Sequence, residues 1–217
     1  MITESNILYL EVNEQPHRIE DVSALMDLVE RMQISFAPWH GEMAMPKVDF
    51  CITYNENHIF LKFFVTEAAI KAEYVNFNDP VYEDSCVEFF IAFNGDSSYY
   101  NLEFNCMGTG RVQYGSGKYN RAFIPAGLIK TIQHQTTLKN TSRGDIYWEL
   151  TLVVPKTVFM FHPQLNLENN RAKVNFFKCG DGLPQPHYLC WNNIVHHEPE
   201  FHLTDFFKQV TFSPQVV

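Results

Sequence analysis

The sequence has no surplus of positive charge: 16 Lys and Arg stand against 25 Asp and Glu, a formal net charge of -9. Affinity for nucleic-acid backbones comes from Lys and Arg neutralising phosphates, so neither nucleic acid nor an anionic membrane is an expected partner. No apolar run approaches the roughly 18 residues a membrane-spanning helix needs, and residues 1–10 lack the basic start and long apolar stretch of a signal peptide. Read as written, the chain is expected in the cytoplasm, or exported if a leader has been removed. Cysteine is scarce. Cys51, Cys86, Cys106, Cys179 and Cys190 are odd in number, widely spread and form no C-x-x-C pair, so zinc and redox motifs are not signalled and buried free thiols are expected. The run His196, His197, Glu198, Glu200, His202 contains metal-ligand types but no H-E-x-x-H spacing. The GTG and GSG stretches at Gly108 and Gly115 are too short for phosphate-binding loops and open no helix. There is no internal repeat, low-complexity tract or linker.

What the chain does have is aromatic and β-branched residues in abundance. With 19 Phe and 10 Tyr in 217 residues, it reads as β-rich, and residues 1–217 read as one domain. A short strand is expected at Ile7–Val12. Val22, Leu25, Met26, Val29 and Met32 fall at helical three-and-four spacing, which predicts a helix near 20–33. KVDFCITY and HIFLKFFVTE flank the turn residues 55–57 as a hairpin. Ser85–Phe93 and Tyr99–Met107 form a second hairpin around 94–98. Residues 108–127 read as long surface loops, and strands resume at Lys130–Lys139, Ile146–Val154, Ala172–Lys178, His187–Trp191 and Phe206–Phe212. This spacing predicts a mostly β, antiparallel β-sandwich with jelly-roll or immunoglobulin-like layering and one or two short helices. Trp39, Trp148 and Trp191 read as core residues, Trp39 with a pocket-lining alternative.

The most informative segment is DPVYEDSCVEFFIAF, Asp79–Phe93, where an acidic, aromatic-bearing loop runs into an apolar strand. On the next strand Asn101, Glu103 and Asn105 share one face and Leu102, Phe104 and Cys106 the other. If Ile91 pairs with Tyr100, Glu88 lies opposite Glu103 and a polar patch with two carboxylates forms. A sugar ring offers an apolar C–H face for an aromatic and vicinal hydroxyls for carboxylates and amides, so this segment has both halves of a sugar site.

DPVYEDSCVEFFI with YYNLEFN, then YWELTLVVP, then LCWNN and FHLTDFFKQVTF, together resemble the signatures of family 9 carbohydrate-binding modules from Trp39 onward. The resemblance implies a β-sandwich that grips a terminal glucan or xylan sugar between two aromatics without catalysis. It implies Tyr82 and Phe201 as the sandwiching rings and Glu88 as the V-E carboxylate. Glu103 and Asn105 complete the expected ligand set. The sequence departs from the founding members in three ways: both rings are Trp there, Glu103 stands where they have a basic residue, and Glu198 where they have Asn. No cofactor is required, but structural calcium is implied. Asp79, Glu83, Asp84 and Asp96 are loop carboxylates of the right chemistry, yet they show no twelve-residue calcium-loop pattern and read equally as solvated turn acids. A partner glycoside hydrolase and a role in polysaccharide breakdown are implied as well. Two alternatives stay open. Glu88 and Glu103 could be the acid and nucleophile of a retaining glycoside hydrolase, whose carboxylates stand about 5–5.5 Å apart. An acidic face could instead bind protein, which predicts an exposed apolar patch around Phe201 and Phe206.

Overall fold

The computed structural model describes residues 5–12, 18–41 and 44–214. Thirteen strands alternate with two short helices: β1 Ser5–Tyr9, α1 Ile19–Met26, β2 Met32–Gln33, β3 Lys47–Tyr54, β4 His58–Glu67, β5 Cys86–Phe93, β6 Tyr99–Asn105 and β7 Gly110–Gly115. β8 Ala122–Phe123, α2 Ala126–Ile129, β9 Gln133–Asn140, β10 Ile146–Pro155, β11 Arg171–Cys179, β12 Tyr188–Cys190 and β13 Lys208–Phe212 follow. The sheet path runs β8-β7-β6-β5-β11-β13-β1-β3-β4-β10-β9 and curls into two facing layers joined through β1. Ladders within the layers are antiparallel, but β1 pairs in parallel with both β13 and β3. That is the one departure from the expected antiparallel pattern.

Both sequence-read hairpins form. β3 and β4 pair from Lys47↔Thr66 to Tyr54↔Ile59, and their inward residues meet those of β11 across the sandwich. Phe50 stacks on Phe176 at 3.9 Å between centroids, with Phe89 at 4.8 Å from Phe176. These rings join Trp148, Leu150 and Ile91 in one apolar core shared by both layers.

The helix is shorter than its spacing predicted. Val22 and Met26 bury against Cys51, Phe60 and Phe64 on the outer face of the β3–β4–β10 layer. Beyond Met26 the chain turns so that Met32 and Gln33 can pair with Phe50 and Asp49, leaving Leu28 84% exposed. Tertiary pairing thus overrides the periodicity. Residues 108–127, expected as loops, contain β7, β8 and the start of α2, so the true loop is confined to 116–121.

Candidate functional site

Strand alternation builds the site. On the β5–β6–β7–β11 layer, Val87, Phe89, Ile91, Leu102, Phe104 and Phe176 face the core, and the residues between them face outward. Cross-strand registers Phe177↔Glu88, Glu88↔Glu103 and Glu103↔Arg111 set these four side chains in one row over the outer face. The Ile91↔Tyr100 pairing read from the turn is the observed one. The row is not solvated, because the chain folds back over it: Glu88 is 4% and Glu103 5% exposed.

Three segments wall a cavity of about 540 Å³ over this row. The first is the turn Val81–Glu83 carrying Tyr82, locked by Asp181 and Gly182, whose N–H groups donate to the carbonyls of Tyr82 and Glu83 at 3.1 and 3.0 Å. A Cβ on Gly182 would lie 2.6 Å from the Glu83 carbonyl oxygen, so this close approach admits only glycine. The second is loop 116–121, which brings Lys118 and the 79% exposed Tyr119 to the rim. The third is the 199–202 segment with Phe201. Lys118 Nζ and Glu200 Oε2, 3.1 Å apart, join the second and third segments.

Arg121 fixes the loop from below. Its guanidinium donates to the carbonyls of Gly115, Gly117 and Tyr99 and to Asn101 Oδ1, and lies 4.2 Å over the Tyr99 ring. Asn101 in turn donates to Glu103 Oε1. The other oxygen, Glu103 Oε2, has only Arg111 Nε at 3.7 Å and no hydrogen-bond partner among the described residues.

Electrostatics follow from burial. The Glu88 carboxyl is pushed well above its usual range by burial and by Glu103 opposite. Glu103 is raised as well, chiefly by burial, against the pull of Arg111. Asp181, on the same wall, is raised by burial and by Glu83. Two adjacent buried carboxyls of this kind retain a proton between them near neutrality, so the row can both donate and accept.

Tyr82, Glu88, Glu103 and Phe201 are thus brought together around one cavity; Asn105 is not. Its Nδ2 donates to the Tyr74 carbonyl and Asp84 Oδ2, while its Oδ1 accepts from the N–H groups of Met107 and Thr109. Strand face alone put it with Glu103, but it closes the turn after β6 instead. Glu198 also stands outside the cavity, its carboxylate 3.9 Å from His197 Nε2 and its backbone bonded to the His196 ring. Phe201 lies flat on Phe177 at 4.2 Å, with Trp39 at 5.9 Å behind it, so one ring face is covered. Phe206 packs with it against the cluster of Phe90, Tyr99 and Phe207, so the exposed patch of the protein-binding alternative is not there. Sequence reasoning missed Arg111, which lies on β7 where loops were expected, and Lys118, Tyr119, Asp181 and Tyr188, which reach the cavity from loops or the edge strand β12 without periodic signal.

The four loop carboxylates do not fit calcium. Asp84 accepts from Glu73 N, Tyr74 N and Asn105 Nδ2; Asp79 from Asn76; Asp96 from Ser98 N and Tyr114 Oη; Glu83 from Tyr74 Oη. Protein donors thus already hold at least one oxygen of each, and among the described residues the four do not converge with one another. Nor does the His196–His202 run form a metal cluster among the described residues; the ligand atoms that do converge belong to Cys86, Glu88 and Cys179. A second cavity of about 450 Å³, beside Met45, Ala68 and Leu183, has Glu67 and His187 already engaged with Lys178.

A curled β-sandwich with a carboxylate row under an aromatic-rimmed cavity is the layout of a small-molecule binding module. The carbohydrate-binding family 9 model matches residues 20–212, and the chain belongs to that family. Its modules bind carbohydrate without catalysing a reaction, which overturns the glycoside hydrolase alternative. A solved Bacteroides uniformis protein, described as a candidate carbohydrate-binding protein, is 31% identical with a TM-score of 0.87, over 97% of this chain and 100% of that one. Two structures of a family 9 module from Caldicellulosiruptor kristjanssonii, with glucose and with cellotriose, give TM-scores of 0.63 and 0.62 at 10% identity. They cover 99% of this chain and 97% and 95% of theirs, and at that identity they show the shared fold. No curated protein matches the chain.

Proposed function

We propose that the cavity over Glu88 and Glu103 binds the end of a glucan-type oligosaccharide, with Tyr82 covering the C–H face of the terminal ring. Glu88 and Glu103 exchange hydrogen bonds with vicinal hydroxyls, and Phe201 closes the opposite wall. The observation that carries this reading is the buried Glu88–Glu103 row beneath an aromatic-rimmed cavity of ligand size. Buried carboxyls without full protein partners demand polar occupants, and ring hydroxyls supply them. Family membership supports carbohydrate as the ligand class. Xylan ends are the second candidate, and work beside a glycoside hydrolase in polysaccharide breakdown is the setting the family resemblance favours.

Calorimetric titration with glucose, cello-oligosaccharides and xylo-oligosaccharides tests the reading. Saturable heat that is lost in Glu103→Gln and weakened in Tyr82→Ala is expected. Silence across the panel, or binding indifferent to both changes, rejects it.

A further inference from the structure

Cys86 and Cys179 are 93 positions apart in sequence, yet β5 and β11 set them directly opposite each other. Glu88, two residues along β5 on the same face, completes a triangle. Cys179 Sγ donates to Glu88 Oε1 at 3.1 Å, and the ligand atoms of all three residues lie within 4.8 Å of one another. All three side chains are buried: Cys86 is 0%, Cys179 2% and Glu88 4% exposed. The two thiols also hydrogen-bond to each other, and otherwise Cys86 points at the Val87 carbonyl and Cys179 at the Tyr82 carbonyl, each at 3.6 Å.

We propose that Cys86, Cys179 and Glu88 form a binding site for a thiophilic divalent cation of the zinc class, with its fourth coordination position open to the carbohydrate cavity. Tetrahedral zinc takes sulfur at about 2.3 Å and carboxylate oxygen at about 2.0–2.2 Å, which puts neighbouring ligand atoms nearly 4 Å apart, so the observed triangle needs only a small inward movement. Three protein ligands with one open position is the arrangement of an exchangeable site rather than a closed structural one. The opening is real, because Cys179 and Glu88 line the cavity while Cys86 lies behind them. A second observation points the same way. Glu103 Oε2, in the next register position from Glu88, is buried without a hydrogen-bond partner among the described residues, and Asp181 adds a further acid on the wall. The opposing positive groups are Arg111 at Glu103 and Lys178, whose Nζ is turned into the core toward Glu67.

A cation entering this group displaces protons. A thiol and a carboxyl bind a cation only after giving up their protons. Two S–H protons and the carboxyl proton leave as two metal–sulfur bonds and one metal–oxygen bond form, with no change of oxidation state. Affinity therefore rises with pH.

The test is titration of the metal-free, reduced full chain with Cd²⁺ in the absence of sugar, following the ultraviolet thiolate-to-cadmium charge-transfer band. One equivalent is expected to bind, tighter at pH 8 than at pH 6, with the band abolished in Cys86→Ser/Cys179→Ser and affinity at least tenfold weaker in Glu88→Gln. Cys51→Ser is the control and is expected to leave the band unchanged. Absence of the band, or a band that survives the double substitution in protein shown folded by circular dichroism, overturns the proposal. If the double variant fails to fold, the single Cys179→Ser variant decides: an undiminished band rejects the site and a band reduced by half or more supports it. The result is independent of the carbohydrate reading, since the band is measured without sugar. Repeating it with a saturating ligand found by calorimetry then shows whether metal and sugar compete for Glu88.

Discussion

Glu67 on β4 and Lys178 on β11 join the two layers through the core, with Oε2 and Nζ 3.0 Å apart and both side chains almost wholly excluded from solvent. Trp148 Nε1 donates to the other Glu67 oxygen at 2.7 Å. Lys178 Nζ also donates to the Cys179 carbonyl and to His187 Nε2, each at 2.8 Å. An ammonium has no acceptor, so His187 Nε2 is unprotonated here and Nδ1 carries the proton toward the Gln185 carbonyl at 3.1 Å.

Removing one partner of such a pair strands a buried charge. Glu67→Gln keeps an acceptor for Trp148 but leaves Lys178 uncompensated, and is expected to cost about 3–5 kcal/mol of stability. Lys178→Met in the Glu67→Gln background is expected to recover part of that loss. Urea midpoints of wild type and the two variants measure both; equal midpoints for wild type and Glu67→Gln reject the argument.

Tyr82→Ala is expected to weaken sugar binding by roughly two- to twelvefold, the about 0.5–1.5 kcal/mol attributed to an aromatic pairing, with Tyr82→Phe close to wild type. Phe201→Ala differs in kind. Because that ring lies on Phe177, its loss is expected to lower both affinity and stability, the latter by less than the roughly 3–5 kcal/mol of a fully buried Phe. Calorimetry with chemical denaturation separates the two outcomes, and an unchanged stability in Phe201→Ala would show that the stacking on Phe177 contributes little.

Arg121→Lys retains the charge but not the fork that reaches five acceptors at once, the Gln113 carbonyl included. Loop 116–121 is expected to loosen, raising its protease sensitivity, and Glu103 is expected to lose its orienting chain through Asn101. Sugar affinity should fall while the global unfolding midpoint moves much less. Limited proteolysis mapped by mass spectrometry checks the loop, and an unaltered cleavage pattern counts against it.

His202 and His187 are each pushed down to about 3, first by burial; Arg121 and Lys118 add to it at His202, and Lys178 at His187. Both folded values lie below the unfolded value of about 6.5, so unfolding takes up protons as the medium is acidified. Their stabilising contribution is complete above about pH 6.5 and is lost progressively toward pH 3. Denaturant midpoints are expected to fall across that window, and His202→Asn is expected to show a shallower decline. Parallel profiles for wild type and variant would falsify the assignment to His202.

Much of the site was legible because one hairpin carried it. Ser85–Met107 alternates cleanly about a short turn, so the Glu88–Glu103 register could be read directly, and Tyr82 lies just ahead of it. Asn105 was misplaced because alternation fixes a face but not what the next loop will claim. Asp181, Tyr188 and Tyr119 left no trace, since they arrive on segments whose positions depend on tertiary contacts. Cys86 and Cys179 had no local spacing to announce them; only the β5–β11 pairing brings them together.

The parallel ladders of β1 decide what the molecule shows to its neighbours. With β1 in place, the ends of the main sheet path are the two-residue β8 and the eight-residue β9, whose sequence QHQTTLKN is polar and largely exposed. Such edges are poor templates for a strand from another copy. Without residues 5–9, the flanks of β3 and β13 would be uncovered next to the central apolar core, and the domain would gain two adhesive seams. Residues 5–9 thus cover two strand flanks that would otherwise be open to pairing with another chain.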